Sequence, residues 1–277
     1  MNQVPPKAYK NLEFLASPAA RHIRILCEYE ETRQRLMKHR VHHTIVFFGS
    51  ARTRSGEEAA KLLEEATEAL ALSPEDPVLK AGHRKAEVAA RMSKYYDAAR
   101  ELARKITEWS SGRTSGRRYV ITSGGGPGIM EGANRGASEG GDGRNVGLGI
   151  SLPFEQGVNP YVTPELAFEF HYFFTRKYWF LYLCKALVIF PGGYGTMDEL
   201  FETLTLVQTG KIKKRLPILL FGTEYWDKVF NLEAMAEFGT IGPDDVNLVH
   251  KTDSVDEAFE YLKSQLEDAG SNDPDPP

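Results

Sequence analysis

Apolar residues in this chain gather in short, regularly spaced runs. TIVFFG (44–49), RYVIT (118–122), NVGLGISL (145–152), ALVIFP (186–191) and LPILLFG (216–222) are rich in Val, Ile, Leu and Phe. They do not alternate with polar positions, the pattern of strands covered on both faces of a parallel sheet. VNLVH (246–250) reads as a weaker sixth strand. Between the runs, apolar positions recur three and four apart, predicting helices over 93–109, 128–140, 196–211 and 254–270. The helix at 128–140, GIMEGANRGASEG, is built of small residues able to pack close to a sheet, and the one at 196–211 stops near Gly210. Strand and helix alternate from 44 to 269, so the body is an α/β fold with an open, mostly parallel sheet and helices on both faces.

Two segments fall outside that rhythm. Residues 1–40 form a helical, strongly charged extension ahead of the main unit at 41–269. Residues 54–92 are a helical insertion after the first strand. There Ser55 and Glu58 suit a capping box for a helix to about Leu72, Pro74 and Pro77 break the chain, and a second helix starts near Val78 and runs on through Tyr95. The tail GSNDPDPP (270–277) has the composition of a disordered segment.

Composition narrows the function classes. The 277 residues are 42% hydrophobic and 26% charged, enough for a sizeable core, and the net charge of −4 offers no reason to expect a nucleic acid polymer as partner. No apolar run is long enough to cross a membrane, and the first residues lack an apolar signal core, so the expectation is a cytoplasmic protein without a membrane partner. The two cysteines, Cys27 and Cys184, form no CxxC pair and read as buried, reduced thiols. No metal-ligand pattern occurs, and neither a metal nor a cofactor is expected.

The chemistry points to the strand ends. GSART (49–53), TSGGGPGIMEG (122–132) and PGGYGTMDE (191–199) each follow a predicted strand, and the last two lead straight into a predicted helix. Glycine lets a ligand approach the peptide groups, and the free N–H groups of a helix start favour an anion. Thr196 is placed to cap its helix and offer a hydroxyl to a phosphate; Glu199 either lies beside that phosphate or closes a capping box with Thr196. Neither loop is a P-loop, because no Lys precedes the Ser or Thr. The dinucleotide fingerprint fails too: Glu131 stands where its third glycine belongs. A mononucleotide or sugar phosphate fits better. Upstream, FEFHYFFTRKYWFLYLCK (168–185) embeds His171, Arg176 and Lys177 in aromatic residues. His171 reads as a semi-buried, hydrogen-bonded histidine, while an arginine in such an apolar helix must reach an anion, a carboxylate or solvent.

Together GGGPGIMEGANRGA (124–137), FFTRK (173–177) and PGGYGTMDE (191–199) resemble the LOG family over roughly residues 43–250. Its members are cytokinin-activating phosphoribohydrolases and bacterial nucleoside 5'-monophosphate nucleosidases that long carried the label lysine decarboxylase. The resemblance implies a Rossmann-like domain, a homodimer or higher homo-oligomer, and cleavage of a purine nucleoside 5'-monophosphate (AMP or N6-modified AMP) to base and ribose 5-phosphate. It assigns catalysis to Arg176 and Glu199, and nucleotide binding to Gly192, Gly193, Gly195, Thr196, Gly125, Gly126, Met130, Ser50 and Arg52. The extension at 1–40 and the insertion at 54–92 depart from compact members of the family. The alternative is a non-catalytic carrier of a nucleotide or of the molybdenum cofactor. Arg176 could serve the phosphate, the leaving base or Glu199 itself, and the sequence leaves that choice open.

Overall fold

A computed structural model describes residues 5–113, 118–153 and 157–268. Two helices, α1 (Leu12–Ala16) and α2 (Arg21–Lys38), precede the first strand, β1 (His43–Phe48). A helical hairpin follows, α3 (Gly56–Leu72) and α4 (Pro77–Ser111), and then β2 (Tyr119–Ser123), α5 (Ile129–Glu139) and β3 (Asn145–Ile150). The second half runs β4 (Ala167–Phe170), α6 (Phe173–Tyr182), β5 (Cys184–Ile189), α7 (Tyr194–Gln208) and β6 (Ile218–Phe221). It closes with α8 (Thr223–Val229), α9 (Leu232–Glu237), β7 (Val249–Thr252) and α10 (Val255–Asp268).

Among the described residues the seven strands form one sheet in the order β4-β3-β2-β1-β5-β6-β7, every pair parallel. The chain builds outward from β1 to one edge, then returns to β5 on the other side of β1. Strand order therefore reverses between β1 and β5, where an open α/β sheet leaves a crevice beyond its strand ends. Both central strands are wholly buried. Side chains alternate across the sheet: Ile45 and Phe47 of β1 join Ala186 and Val188 of β5 under α4, α5 and α10. Val46 and Phe48 join Leu187 and Ile189 on the opposite face, with Trp179 of α6, Leu200 of α7 and Trp226 of α8.

Two differences from the sequence reading have simple causes. β4, only four residues long at the sheet edge, was hidden at the start of an aromatic stretch that read as continuous helix. The insertion does break near Pro74, but α4 is one helix of 35 residues, started by Pro77 and by the Asp76 carboxylate, which accepts from Val78 N at 2.7 Å. Ser55 caps α3 as expected, accepting from Glu58 N at 3.3 Å. The tail at 270–277 lies outside the described residues. Cys184 is buried, but Cys27 is exposed on α2, and both are free thiols.

The small residues of α5 do more than meet the sheet. A Cβ on Gly132, Gly136 or Gly140 would lie 2.9, 1.9 or 2.7 Å from the carbonyl oxygens of Tyr96, Arg100 and Arg104 on α4. Glycines four apart thus lie against carbonyls four apart, and the two helices touch backbone to backbone. Gly136→Ala is expected to destabilise the protein by about 2 kcal/mol or more, since the backbone must move to admit a methyl. Gly82→Ala, in an exposed stretch of α4 with nothing within 4 Å of the new methyl, is expected to stabilise it by about 0.5–1 kcal/mol. Urea unfolding of the two variants checks both signs.

Candidate functional site

The three glycine-bearing loops meet at the β1/β5 reversal and are stitched to one another. Phe190 N donates to Phe48 O at 2.9 Å, Ser50 N to Pro191 O at 3.0 Å, and Ile129 N to Ser50 O at 3.1 Å. Ser50 therefore links all three loops, and its hydroxyl accepts from Arg52 N at 3.1 Å. Gly128 has φ +72°, and a Cβ there would lie 2.2 Å from Ser50 O, so this closure admits only glycine.

The loop after β5 is supported from below and open above. Tyr225 of α8 donates its hydroxyl to Gly192 O at 2.5 Å. Thr196 folds back over the loop, its hydroxyl where a Cβ of Gly192 would come within 2.1 Å. Gly193 and Gly195 have nothing within 4 Å of their missing side chains, and Tyr194 is 96% exposed. The helix α7 starts at Tyr194 with Gly193 as its N-cap and no capping side chain. This corrects the expected start at residue 196: Thr196 lies inside the first turn, and the Thr196–Glu199 capping box does not form. The first intrahelical bond at this end is Met197 N to Gly193 O, 3.0 Å, which leaves the first-turn N–H groups facing the open side of the loop.

The loop after β2 is braced by an amide network that the sequence reading missed. Asn159 donates to Gly125 O and Gly126 O at 3.0 Å each and to Asn134 Oδ1 at 2.9 Å. Asn134 in turn donates to Asn145 Oδ1 at 2.9 Å and accepts from Ser123 Oγ at 2.7 Å. All four side chains are buried. Asn159 comes from GVNP, a turn-like tetrapeptide 33 residues beyond Gly126, so only the folded chain reveals its partner. Met130 lies next to this loop, its sulfur filling the space a Cβ of Gly124 would need.

Glu199 sits one turn beyond the α7 start and is 4% exposed. Among the described residues its carboxyl has no hydrogen bond or ion pair. Burial pushes its pKa up to about 7, against the pull of Lys177 and Arg176, with Glu202 and Asp198 adding to the rise. Arg176 lies on α6, half-buried, with its guanidinium 5.1 Å from the Phe173 ring centre and 5.4 Å from that of Phe180. Its Nε is buried without a partner. Burial depresses the Arg176 pKa, opposed by Glu199 and Asp198. The arginine faces the carboxylates as a field rather than through a bond. Lys177 makes the bonds: its ammonium reaches Asp198 and Glu202 at 2.8 Å each and clamps α6 to α7. Burial opposes the Lys177 charge, but those hydrogen bonds more than offset it and its pKa is raised.

Arg52 is exposed, with no ion pair among the described residues. The His171 ring is exposed rather than semi-buried, lying edge-on to Tyr172 at 4.7 Å. Among the described residues no group of three or more His, Cys, Asp or Glu could hold a metal, and no helix is long and apolar enough to cross a membrane.

The site is a glycine-lined crevice at the strand-order reversal of a Rossmann-like α/β sheet. Residues 130–262, just under half of the chain, match the family described as "Possible lysine decarboxylase", and this match points to the LOG, or lysine-decarboxylase-like, family. The match spans α6 and α7 with Arg176 and Glu199, but not the Ser50 loop. The match supports a nucleotide-hydrolysing or nucleotide-binding role in general, with hydrolase-type chemistry. No curated protein matches the chain. Among solved structures, the X-ray structure of the structural genomics target TM1055 shares 20% identity, covers 80% of this chain and 99% of its own, and has a TM-score of 0.46. A molybdenum cofactor binding protein from the phototrophic bacterium Rippkaea orientalis shares 16% identity, covers 81% and 97%, and has a TM-score of 0.45. Both likenesses are too distant to bear on function.

The buried carboxyl has a measurable consequence. Between its ordinary value and about 7, Glu199 holds a proton in the folded protein that it releases on unfolding. Its contribution to stability is thus full below the ordinary carboxyl range and is lost as pH rises through 7. Glu199→Gln cannot ionise and escapes that loss. Relative to wild type, the variant should gain about 2–3 kcal/mol between pH 5 and pH 8. Denaturant unfolding at the two pH values measures it; equal differences at both would show that Glu199 titrates normally.

Proposed function

We propose that the protein hydrolyses the N-glycosidic bond of a purine nucleoside 5'-monophosphate, AMP or an N6-modified AMP, giving the free base and ribose 5-phosphate. The observation that carries this reading is the placement of Glu199. A buried carboxyl with its pKa near 7 lies one turn behind an uncapped, glycine-lined helix start.

The 5'-phosphate suits the first-turn N–H groups of α7, the Thr196 hydroxyl and the open loop at Gly193 and Gly195. Arg52, exposed on the neighbouring loop, offers further positive charge, and the 124–130 loop supplies a second wall. Binding energy from the phosphate, remote from the bond that breaks, holds the ribose in place. As the bond between the anomeric carbon and the base lengthens, positive charge builds on the sugar. Ionised Glu199 stabilises that charge and takes a proton from the attacking water. The water oxygen bonds to the anomeric carbon, the bond to the base breaks, and the base leaves with one proton. A carboxyl poised near neutrality can accept that proton and give it up again. Arg176, a poor proton donor, serves by its charge, helping to keep Glu199 ionised in a buried place. A carrier could use the same loops, but would have no use for a near-neutral carboxyl beside a half-buried arginine.

Base release from a panel of monophosphates and their nucleosides tests this. AMP or a modified AMP should be cleaved far better than the matching nucleoside, and Glu199→Gln should lower kcat by roughly 10²-fold or more while nucleotide still binds. Silence across the panel, with nucleotide bound, would transfer the protein to the carrier reading. Because the ionised form is the active one, kcat/KM should rise with pH through about 7 and then level off. A profile flat from pH 5 to 8 would remove Glu199 from the role of base.

A further inference from the structure

The helix that carries Arg176 and Lys177 is secured from outside at both ends. Its N-cap, Tyr172, supplies no capping side chain. Instead the carboxylate of Glu28, on α2, accepts from His171 N at 2.7 Å, Tyr172 N at 3.4 Å and the Thr175 hydroxyl at 2.5 Å. Negative charge is favourable at that end of a helix, and charge-assisted bonds are the strong kind. Tyr29, the next residue, packs its ring 5.3 Å from Tyr178 and 5.4 Å from Trp179. At the far end Lys214 donates to Leu181 O at 3.1 Å and Tyr182 O at 3.2 Å. The last carbonyls of α6 thus meet a cation, and its entry meets an anion.

We propose that Glu28 is a positioning residue of the site: through this carboxylate the amino-terminal helix sets the direction in which Arg176 and Lys177 face Glu199. Thr175, which Glu28 holds, and Arg176 are consecutive, so the anchor and the cation share one turn. The helix has only ten residues, and the Glu28 bonds at its entry act on its rotation together with the core packing of Trp179 and Phe180. A turn of about 20° moves an atom roughly 6 Å from the helix axis by about 2 Å, and misplacements near 1 Å can lower a rate by roughly 10²-fold. Four charged groups face Glu199: Arg176 and Lys177 from α6, and Asp198 and Glu202 from its own helix. Only the α6 pair depends on Glu28.

The inference rests on Glu199 and Arg176 being the reacting pair, and its test therefore uses a readout that needs no substrate. Carboxyl carbons of glutamate are labelled with ¹³C, the Glu199 signal is assigned by its loss in Glu199→Gln, and its titration is followed in wild type, Glu28→Ala and Glu28→Gln. Glu30→Gln, which removes a half-buried charge paired with Arg33 on the same helix, is the control. The Glu199 midpoint should rise by about half a unit or more in Glu28→Ala, by less in Glu28→Gln, and stay in place in the control. If AMP is cleaved, the Glu28 variants should lose kcat by about tenfold with KM nearly unchanged, because the phosphate loop belongs to α7. The isosteric Gln variant keeps the test decisive should the Ala variant fail to fold. Variants that melt earlier but leave the Glu199 midpoint where it was would overturn the proposal, because Glu28 would then only stabilise. A shifted midpoint in a protein that cleaves no nucleotide would leave the proposal standing and defeat the hydrolase reading instead.

Discussion

A carboxyl group held out of water at the place where the strand order reverses is the constraint on which the rest of this structure turns. Glu199 lies against the core, and nothing among the described residues hydrogen-bonds its carboxyl. Such a group is normally neutral or paired. Here it is left between the two, with burial driving it toward the acid form and the cations of α6 drawing it toward the anion. The balance lasts only while α6 and α7 keep their spacing. The clamp from Lys177 to Asp198 and Glu202 preserves that spacing without neutralising Glu199 itself. The division of labour between adjacent residues is clear: Lys177 bonds and Arg176 polarises.

The loops around that pair are just as dependent on one another. Ser50 reaches Pro191 on one side and Ile129 on the other through its backbone alone, so the sites after β1, β2 and β5 close as a unit. Rigidity is supplied beneath them, by the buried Asn134–Asn145–Asn159 amides and by Tyr225 under Gly192. The open face is left to glycines and backbone N–H groups. For the anion binding proposed here, a crevice made this way would need little reorganisation. The helices α2 and α4 also join the scaffold. α4 lies backbone to backbone on α5, which starts from the second loop, and α2 supplies the carboxylate at the entry to α6.

Much of this was legible in the order of residues. The runs of Val, Ile, Leu and Phe marked the five inner strands, because a strand buried on both faces leaves no polar position to blur it, whereas VNLVH overlaps only the start of the half-buried edge strand β7. Glycine density located the loops, since close approach and left-handed backbone leave few other choices. Arg176 stood out as a cation among aromatics, and Glu199 as a carboxylate one turn from a glycine loop. Local chemistry determined these features, so sequence alone determined the fold class, the three loops and the residue types at the site. What tertiary structure decided is everything that depends on distance between remote segments. β4 was lost because four residues of strand and ten of helix share one aromatic composition. Thr196 read as a cap because side-chain chemistry favours it, yet the folded loop starts the helix two residues earlier. Cys27 is exposed because α2 turns that face to water. Above all, no local rule joins Glu28 to Thr175 across 147 positions, or Lys177 to Glu202 across 25. The state of Glu199 is set by those long-range neighbours and by its burial, which exist only once the chain has folded.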